Sequence, residues 1–163
     1  MASALLSAID QGNLQAVMAS LENGANVEEP DVHGFPGLPL RMAAFRGHNR
    51  IIQELLRRGA DVDCANSEGA GAPLRLAVRG GHLATTRFLL ENGASLVPGL
   101  DLGLSRDEIF RAELISRVNR EAAVLAERHP SSSPPDEIIG EVILKPAEFE
   151  ALFGKLTGGI QKN

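Results

Sequence analysis

The sequence predicts an all-α solenoid, a stack of helix-turn-helix units with hairpin-like turns between them, and three sets of residues in one register predict it. Gly24-Ala25-Asn26, Gly59-Ala60-Asp61 and Gly93-Ala94-Ser95 are spaced by 35 and then 34 residues. Gly12-Asn13, Gly47-His48 and Gly81-His82 keep the same phase, each twelve residues before its Gly-Ala partner. Pro39-Leu40-Arg41-Met42-Ala43 returns as Pro73-Leu74-Arg75-Leu76-Ala77. Self-similarity at a fixed period of a few tens of residues is the mark of a repeat architecture. It divides residues 1–97 into units 3–30, 31–65 and 66–97.

The first unit lacks the Pro-Leu start, and Ala19 and Ser20 replace bulky residues, so residues 3–22 read as an N-terminal cap. In the next two units Pro39 and Pro73 suit the first position of a helix, where the missing N–H is no loss and φ is already set. That short helix is expected to end at Gly47 or Gly81, since glycine takes the left-handed conformation of a helix C-terminus. A second helix follows in each unit, with apolar residues at helical spacing. These are Leu14, Val17, Met18 and Leu21, then Ile51, Ile52, Leu55 and Leu56, then Leu83, Phe88, Leu89 and Leu90. Gly24, Gly59 and Gly93 stop these helices, and Leu56 and Leu90, three residues before their glycines, are expected in the core. Asp31-Val32-His33-Gly34 and Asn66-Ser67-Glu68-Gly69 read as tight turns.

Residues 98–129 carry no repeat marker. Ser105-Arg106-Asp107-Glu108 is a helix start in which Ser caps and Glu reaches back. Phe110, Leu114, Val118, Ala122 and Leu125 then recur at three- and four-residue intervals to about His129. One long helix fits this pattern, and so does a degenerate helix pair broken near Asn119. Either is expected to bury Ile109, Phe110, Leu114 and Ile115 against the third unit, because the end of a solenoid needs a cap. Residues 130–137, rich in Pro and Ser, read as a linker. Residues 138–163 form an apolar tail: Ile138 to Leu144 suit an extended segment, and Pro146 opens a short helix with Phe149, Leu152, Phe153 and Leu156 on one face. Glu148 and Glu150 suit its dipole. So short a helix needs a surface to pack on. Two readings compete: the tail folds back over its own repeats, or it docks a partner as a helix in a groove.

These motifs resemble the ankyrin repeat family, whose pattern runs Asp-x-x-Gly-x-Thr-Pro-Leu-His-x-Ala, then Gly-His, a leucine-rich helix and Gly-Ala-Asp. The resemblance covers about residues 3–97. Arg41 and Arg75 stand where the family has His, and Leu38 and Ala72 where it has Thr. Two extra residues lie between Gly34 and Pro39 and one between Gly69 and Pro73, which lengthens the family period of about 33 and is expected to enlarge the hairpin tips. The resemblance implies protein binding on a concave face of hairpin tips and first helices. That face maps to Asp10, Gln11, His33, Phe35, Phe45, Arg46, Ser67, Glu68 and Arg79. Phe45 is a large apolar side chain at an outward position, and aromatic and Arg residues lead at interfaces; the opposing reading is that the Gly34–Pro39 loop covers it. Arg41, Arg46, Arg75 and Arg79 read as a basic stripe, or as a solvated face whose stems cover apolar surface.

Composition narrows the function. A chain of 163 residues holds one folded body with appendages, and a 44% apolar content excludes overall disorder. No apolar run approaches the roughly 20 residues of a membrane span, and Met1 to Asp10 lack the features of a signal peptide. The single Cys64 fits a reducing compartment, so the expected location is the cytoplasm. The net charge of −5 is spread, with 8 basic and 10 acidic residues in 1–97 and 8 and 11 in 98–163. Without a basic face, and with six Phe but no Trp or Tyr, nucleic acid is not an expected partner.

Catalysis is not expected either. No nucleophile stands with a base, and Cys64 has no His ladder to build a zinc site. The neighbouring Asp63 opposes a reactive thiolate, so Cys64 reads as inert. His48 and His82 read as structural, hydrogen-bonding within the repeat, and His33 and His129 are isolated. Gly154-Lys155-Leu156-Thr157 lacks the upstream Gly of a phosphate loop, and its Lys is followed by Leu. The expectation is a non-enzymatic protein with no cofactor, metal, membrane or small-molecule substrate, binding another protein as an adaptor, inhibitor or chaperone-like module. The alternative is a regulatory subunit whose 138–156 segment docks onto an enzyme and modulates it.

Overall fold

The computed structural model describes residues 3–128. His129, the 130–137 segment and the tail with Phe149, Leu152, Phe153 and Leu156 lie outside the described residues. Seven helices are described: α1 Ala4–Asp10, α2 Leu14–Glu22, α3 Leu38–Arg46, α4 Asn49–Arg57, α5 Ala72–Arg79, α6 Leu83–Glu91 and α7 Arg106–Arg128. Among these residues extended pairing is limited to an isolated bridge between Asn66 and Gly69 at a hairpin tip. Helices pair within each unit, α1 with α2, α3 with α4 and α5 with α6, while α1, α3 and α5 stack in one layer and α2 adjoins α4 in a second. The core between the layers encloses Leu5, Ile9, Val17, Leu40, Ile51, Ile52, Leu55, Leu74 and Leu89. Ala43, Ala44 and Ala77 are fully enclosed as well; side chains this small let neighbouring first helices approach closely.

The prolines sit one position deeper than the sequence suggested. α3 and α5 begin at Leu38 and Ala72, after the N-cap residues Gly37 and Gly71, so that Pro39 and Pro73 hold the second position. The N–H of the second residue is also one of the four that a helix start leaves unpaired, and proline loses nothing there. α1, without a proline, is capped by Ser3, whose Oγ accepts the Leu6 N–H at 3.3 Å. α5 ends at Arg79 with Gly80 as a right-handed cap, one residue before the expected Gly81. The left-handed residue is nevertheless in register throughout, with φ of 67°, 75° and 74° at Gly12, Gly47 and Gly81.

His48 and His82 precede α4 and α6 without a side-chain capping bond. Instead of hydrogen-bonding within the repeat, they pack against the previous unit: a Cβ on Gly12 would lie 2.9 Å from the His48 ring, and one on Gly47 2.7 Å from the His82 ring. Each imidazole fills the notch left by the missing side chain. Nothing lies within 4 Å of the equivalent point on Gly81, since no fourth His follows it.

Two further expectations change. Leu83 is 51% exposed, while Thr85 and Thr86 are enclosed. They stand in register with Ile51 and Ile52, and their hydroxyls are satisfied: Thr85 donates to Asn49 Oδ1 at 2.6 Å and Thr86 to the His82 carbonyl at 3.1 Å. Leu90 is buried as expected, but Leu56 is half-buried.

α7 runs unbroken through Asn119. It opens on the expected reciprocal cap, in which Ser105 N donates to Glu108 Oε2 at 2.9 Å and Glu108 N to Ser105 Oγ at 3.3 Å. The bond from the Ser105 backbone holds the Glu108 carboxyl below its ordinary value. Its buried face is not the expected one, however, because Phe110, Leu114 and Ile115 are exposed. The helix meets the core through Ala112 and Ile109, with Leu100, Leu102 and Leu104 of the preceding loop filling the seam. Those loop leucines occupy the space the larger helix residues were expected to fill.

Candidate functional site

The hairpin tips are held by two arginines. Asp31 Oδ1 accepts the backbone N–H of His33 at 2.9 Å and of Phe35 at 3.1 Å, which closes the first tip. Arg41, on α3, donates from Nη1 to Asp31 Oδ2 and from Nη2 to the Phe35 carbonyl, both at 2.9 Å. In the next unit Arg75, on α5, donates to the Ala70 carbonyl at 2.5 Å, the Gly69 carbonyl at 2.6 Å and Asn66 Oδ1 at 3.0 Å. A guanidinium offers five donors on a long stem. The arginines and the inserted tip residues therefore go together, since a lengthened tip needs a longer and more branched donor than imidazole.

The same bonds set the local electrostatics. Burial raises the Asp31 carboxyl, but the Arg41 hydrogen bond, the Phe35 and His33 N–H groups and the Arg41 charge together hold it below its ordinary 3.8. Hydrogen bonds and charge from Arg79, with Arg75 beyond, hold Glu68 below its ordinary 4.5. Burial pushes the Cys64 thiol up to about 12, and its Sγ lies 3.9 Å from the Gly37 carbonyl. A thiol in that state is not a nucleophile at neutral pH.

The basic stripe expected of Arg41, Arg46, Arg75 and Arg79 is neutralised by carboxylates. Arg41 pairs with Asp31 and is enclosed, with its Nε left without a hydrogen-bond partner. Arg75 Nε lies 3.5 Å from Glu68 Oε2. Arg46 pairs with Asp10, which ties the second unit to the first. Arg79 meets Glu68 Oε1 at 2.9 Å and Oε2 at 3.1 Å. Positive charge is therefore matched in place rather than displayed.

Asp10, Phe45 and Arg79 stand two residues before Gly12, Gly47 and Gly81, and occupy equivalent exposed positions at the ends of α1, α3 and α5. Phe45, in the middle unit, is 42% exposed, so the Gly34–Pro39 loop does not enclose it. Of the other residues singled out, Gln11 bonds back to Ser7 Oγ on its own helix at 3.2 Å. His33 and Ser67 are exposed at the tips, and Phe35 is half-buried beside Arg41. The structure brings together Asp10 with Arg46, Glu68 with Arg79, and His33 with Phe35 around Asp31. One residue was missed: Val32 is 95% exposed at the first tip. Its signal was a β-branched apolar residue in the middle of a turn.

An apolar centre bordered by ion pairs has the composition of a protein-recognition surface. Among the described residues no group of three or more His, Cys, Asp or Glu is placed to hold a metal ion, and no helix is long and apolar enough to cross a membrane. A family model described as ankyrin repeats, in three copies, matches residues 5–98. Among curated proteins the chain is similar to protein phosphatase 1 regulatory subunit 27 of Mus musculus, at 36% identity over 67 residues, which cover 41% of this chain and 42% of that protein. The chain thus spans less than half the length of that relative.

Proposed function

The chain belongs to the ankyrin-repeat family, and we propose that it is a non-catalytic module that binds another protein on the concave face of hairpin tips and first helices. The observation that carries this reading is Phe45, a large apolar side chain 42% exposed in the middle unit and flanked in sequence by an interunit ion pair through Arg46. Partially exposed aromatic residues of this kind act as anchors when a partner excludes water around them. In this reading the module serves as an adaptor, inhibitor or chaperone-like binder in the cytoplasm. It takes no cofactor or small-molecule substrate, and neither nucleic acid nor membrane is its partner. Affinity capture from the native cell with the full chain and with its Phe45→Ala variant tests it. The expected result is a specific protein retained by the first and lost by the second; the same protein retained equally by both counts against the concave face.

The likeness to a protein named as a phosphatase regulatory subunit favours a second reading, in which the chain is a regulatory subunit and its 138–156 segment docks onto an enzyme. Phe149→Asp with Phe153→Asp in the full chain would then abolish capture, and Phe45→Ala would not. The reverse pattern rejects it.

A further inference from the structure

The outer side of α7 presents Phe110, Leu114, Ile115, Val118, Val124 and Leu125, each between 40% and 60% exposed. The opposite side rests on the core through Ala112 and Ile109. At 3.6 residues per turn, Phe110, Leu114, Val118 and Leu125 share one stripe about 22 Å long, with Ile115 and Val124 on its two flanks. Exposed apolar surface on the order of 500 Å² in one strip marks an interaction site.

We propose that this face pairs with the same face of a second copy of the chain, α7 against α7, antiparallel about a two-fold axis at the level of Ser116. Three observations select a second copy as the occupant. First, α7 carries five Arg and five Asp or Glu from Arg106 to Arg128. The helix is charge-balanced, so a copy is not repelled and a strongly acidic or basic partner gains no net attraction. Second, Arg111 at the edge of the stripe and Glu121 within it, both exposed, stand five residues on either side of Ser116. A two-fold axis there brings each to the level of the opposite charge on the second copy, within reach of the long Arg side chain, and the pairing occurs twice. The same register places Leu114 against Val118 of the second copy, Phe110 beside its Val124, and Ile115 beside its own counterpart. This is the pattern of an antiparallel helix pair whose apolar seam has its register fixed by a polar residue within it, and a two-fold interface uses one patch on both subunits. Third, about 500 Å² from each copy gives about 1,000 Å² in total, the lower bound for a specific interface.

Sedimentation velocity of the full chain, from micromolar to hundreds of micromolar, tests the proposal. A concentration-dependent dimer is expected. Arg111→Glu alone and Glu121→Arg alone should each weaken it at least tenfold by setting like charges opposite each other, and the two together should restore it. All these positions are exposed, so circular dichroism at a concentration where every form is monomeric should show the same melting for each variant. A wild-type chain that stays monomeric over the whole range overturns the proposal, and so does a double variant that dimerises no better than the single ones.

Discussion

Gly80→Ala should destabilise the chain, against the usual sign of such a change. Gly80 caps α5 with φ −74° and ψ −8°, a conformation that alanine adopts freely. Backbone entropy alone would favour alanine by about 0.4–1 kcal/mol, because the unfolded chain then has fewer states to lose. The surroundings oppose it. A Cβ at Gly80 would lie 2.5 Å from the Phe45 carbonyl oxygen and 2.8 Å from the His82 ring, against 3.4 Å for ordinary contact. That oxygen belongs to the backbone of α3, so it moves only if α3 and α5 separate, and those helices form a main contact of the first-helix layer. Overpacking of this kind costs about 1–3 kcal/mol, so the centres of the two ranges leave a net loss of about 1.3 kcal/mol. Urea unfolding followed by far-ultraviolet circular dichroism reads it directly: the midpoint should fall with the slope unchanged. A midpoint equal to or above that of the wild type would refute the claim that α3 and α5 meet through a position only glycine can fill.

Leu90→Ala, at a site 1% exposed, should cost about 2–5 kcal/mol, whereas Leu56→Ala, at the equivalent but half-buried site, should cost clearly less in the same unfolding assay. Equal losses would contradict the burial of α4 and α6 as described. Asp31 and Glu68 titrate below their ordinary values in the folded chain, so in acid the unfolded chain binds more protons. The stability they supply is complete above the ordinary values of 3.8 and 4.5 and disappears as pH falls through the lower folded ones. The urea midpoint should therefore drop on acidification, and Asp31→Asn with Glu68→Gln should flatten part of that drop; an equally steep drop in the double variant would contradict it.

The repeat frame was legible because glycine, proline and the Gly-His pair have backbone consequences that no neighbour can cancel. Left-handed Gly12, Gly47 and Gly81 and the helices they separate follow from residue type alone. Faces were less legible, since they depend on what lies opposite. Thr85 and Thr86 lie outside the apolar pattern of the third unit, yet their hydroxyls find Asn49 Oδ1 and the His82 carbonyl and they take core positions. The period of α7 was readable, but not the side it buries, because Leu100, Leu102 and Leu104 arrive from an irregular loop with no periodicity. At the candidate site the arginines were visible as departures from the family pattern. Their partners were not, because Asp31, Glu68 and the tip carbonyls are brought to them by turn geometry rather than by helical spacing.

The central claim is that recognition runs through the end of α3, and one pair of measurements addresses it: partner affinity and thermal melting of Phe45→Ala and Arg46→Ala, using the protein captured by the full chain. Phe45 is exposed, and the Arg46–Asp10 pair, with side chains 50% and 52% exposed, adds little to folding. For Arg46→Ala melting should correspond to a stability change below about 0.5 kcal/mol, and for Phe45→Ala, whose side chain is 42% exposed and otherwise packed, to about 1–2 kcal/mol with the fold retained, while truncation of an anchor should weaken binding by at least about 2 kcal/mol, roughly thirtyfold. Unchanged affinity in both variants would contradict the claim, and unfolding of Phe45→Ala would place that side chain in the core instead of at an interface.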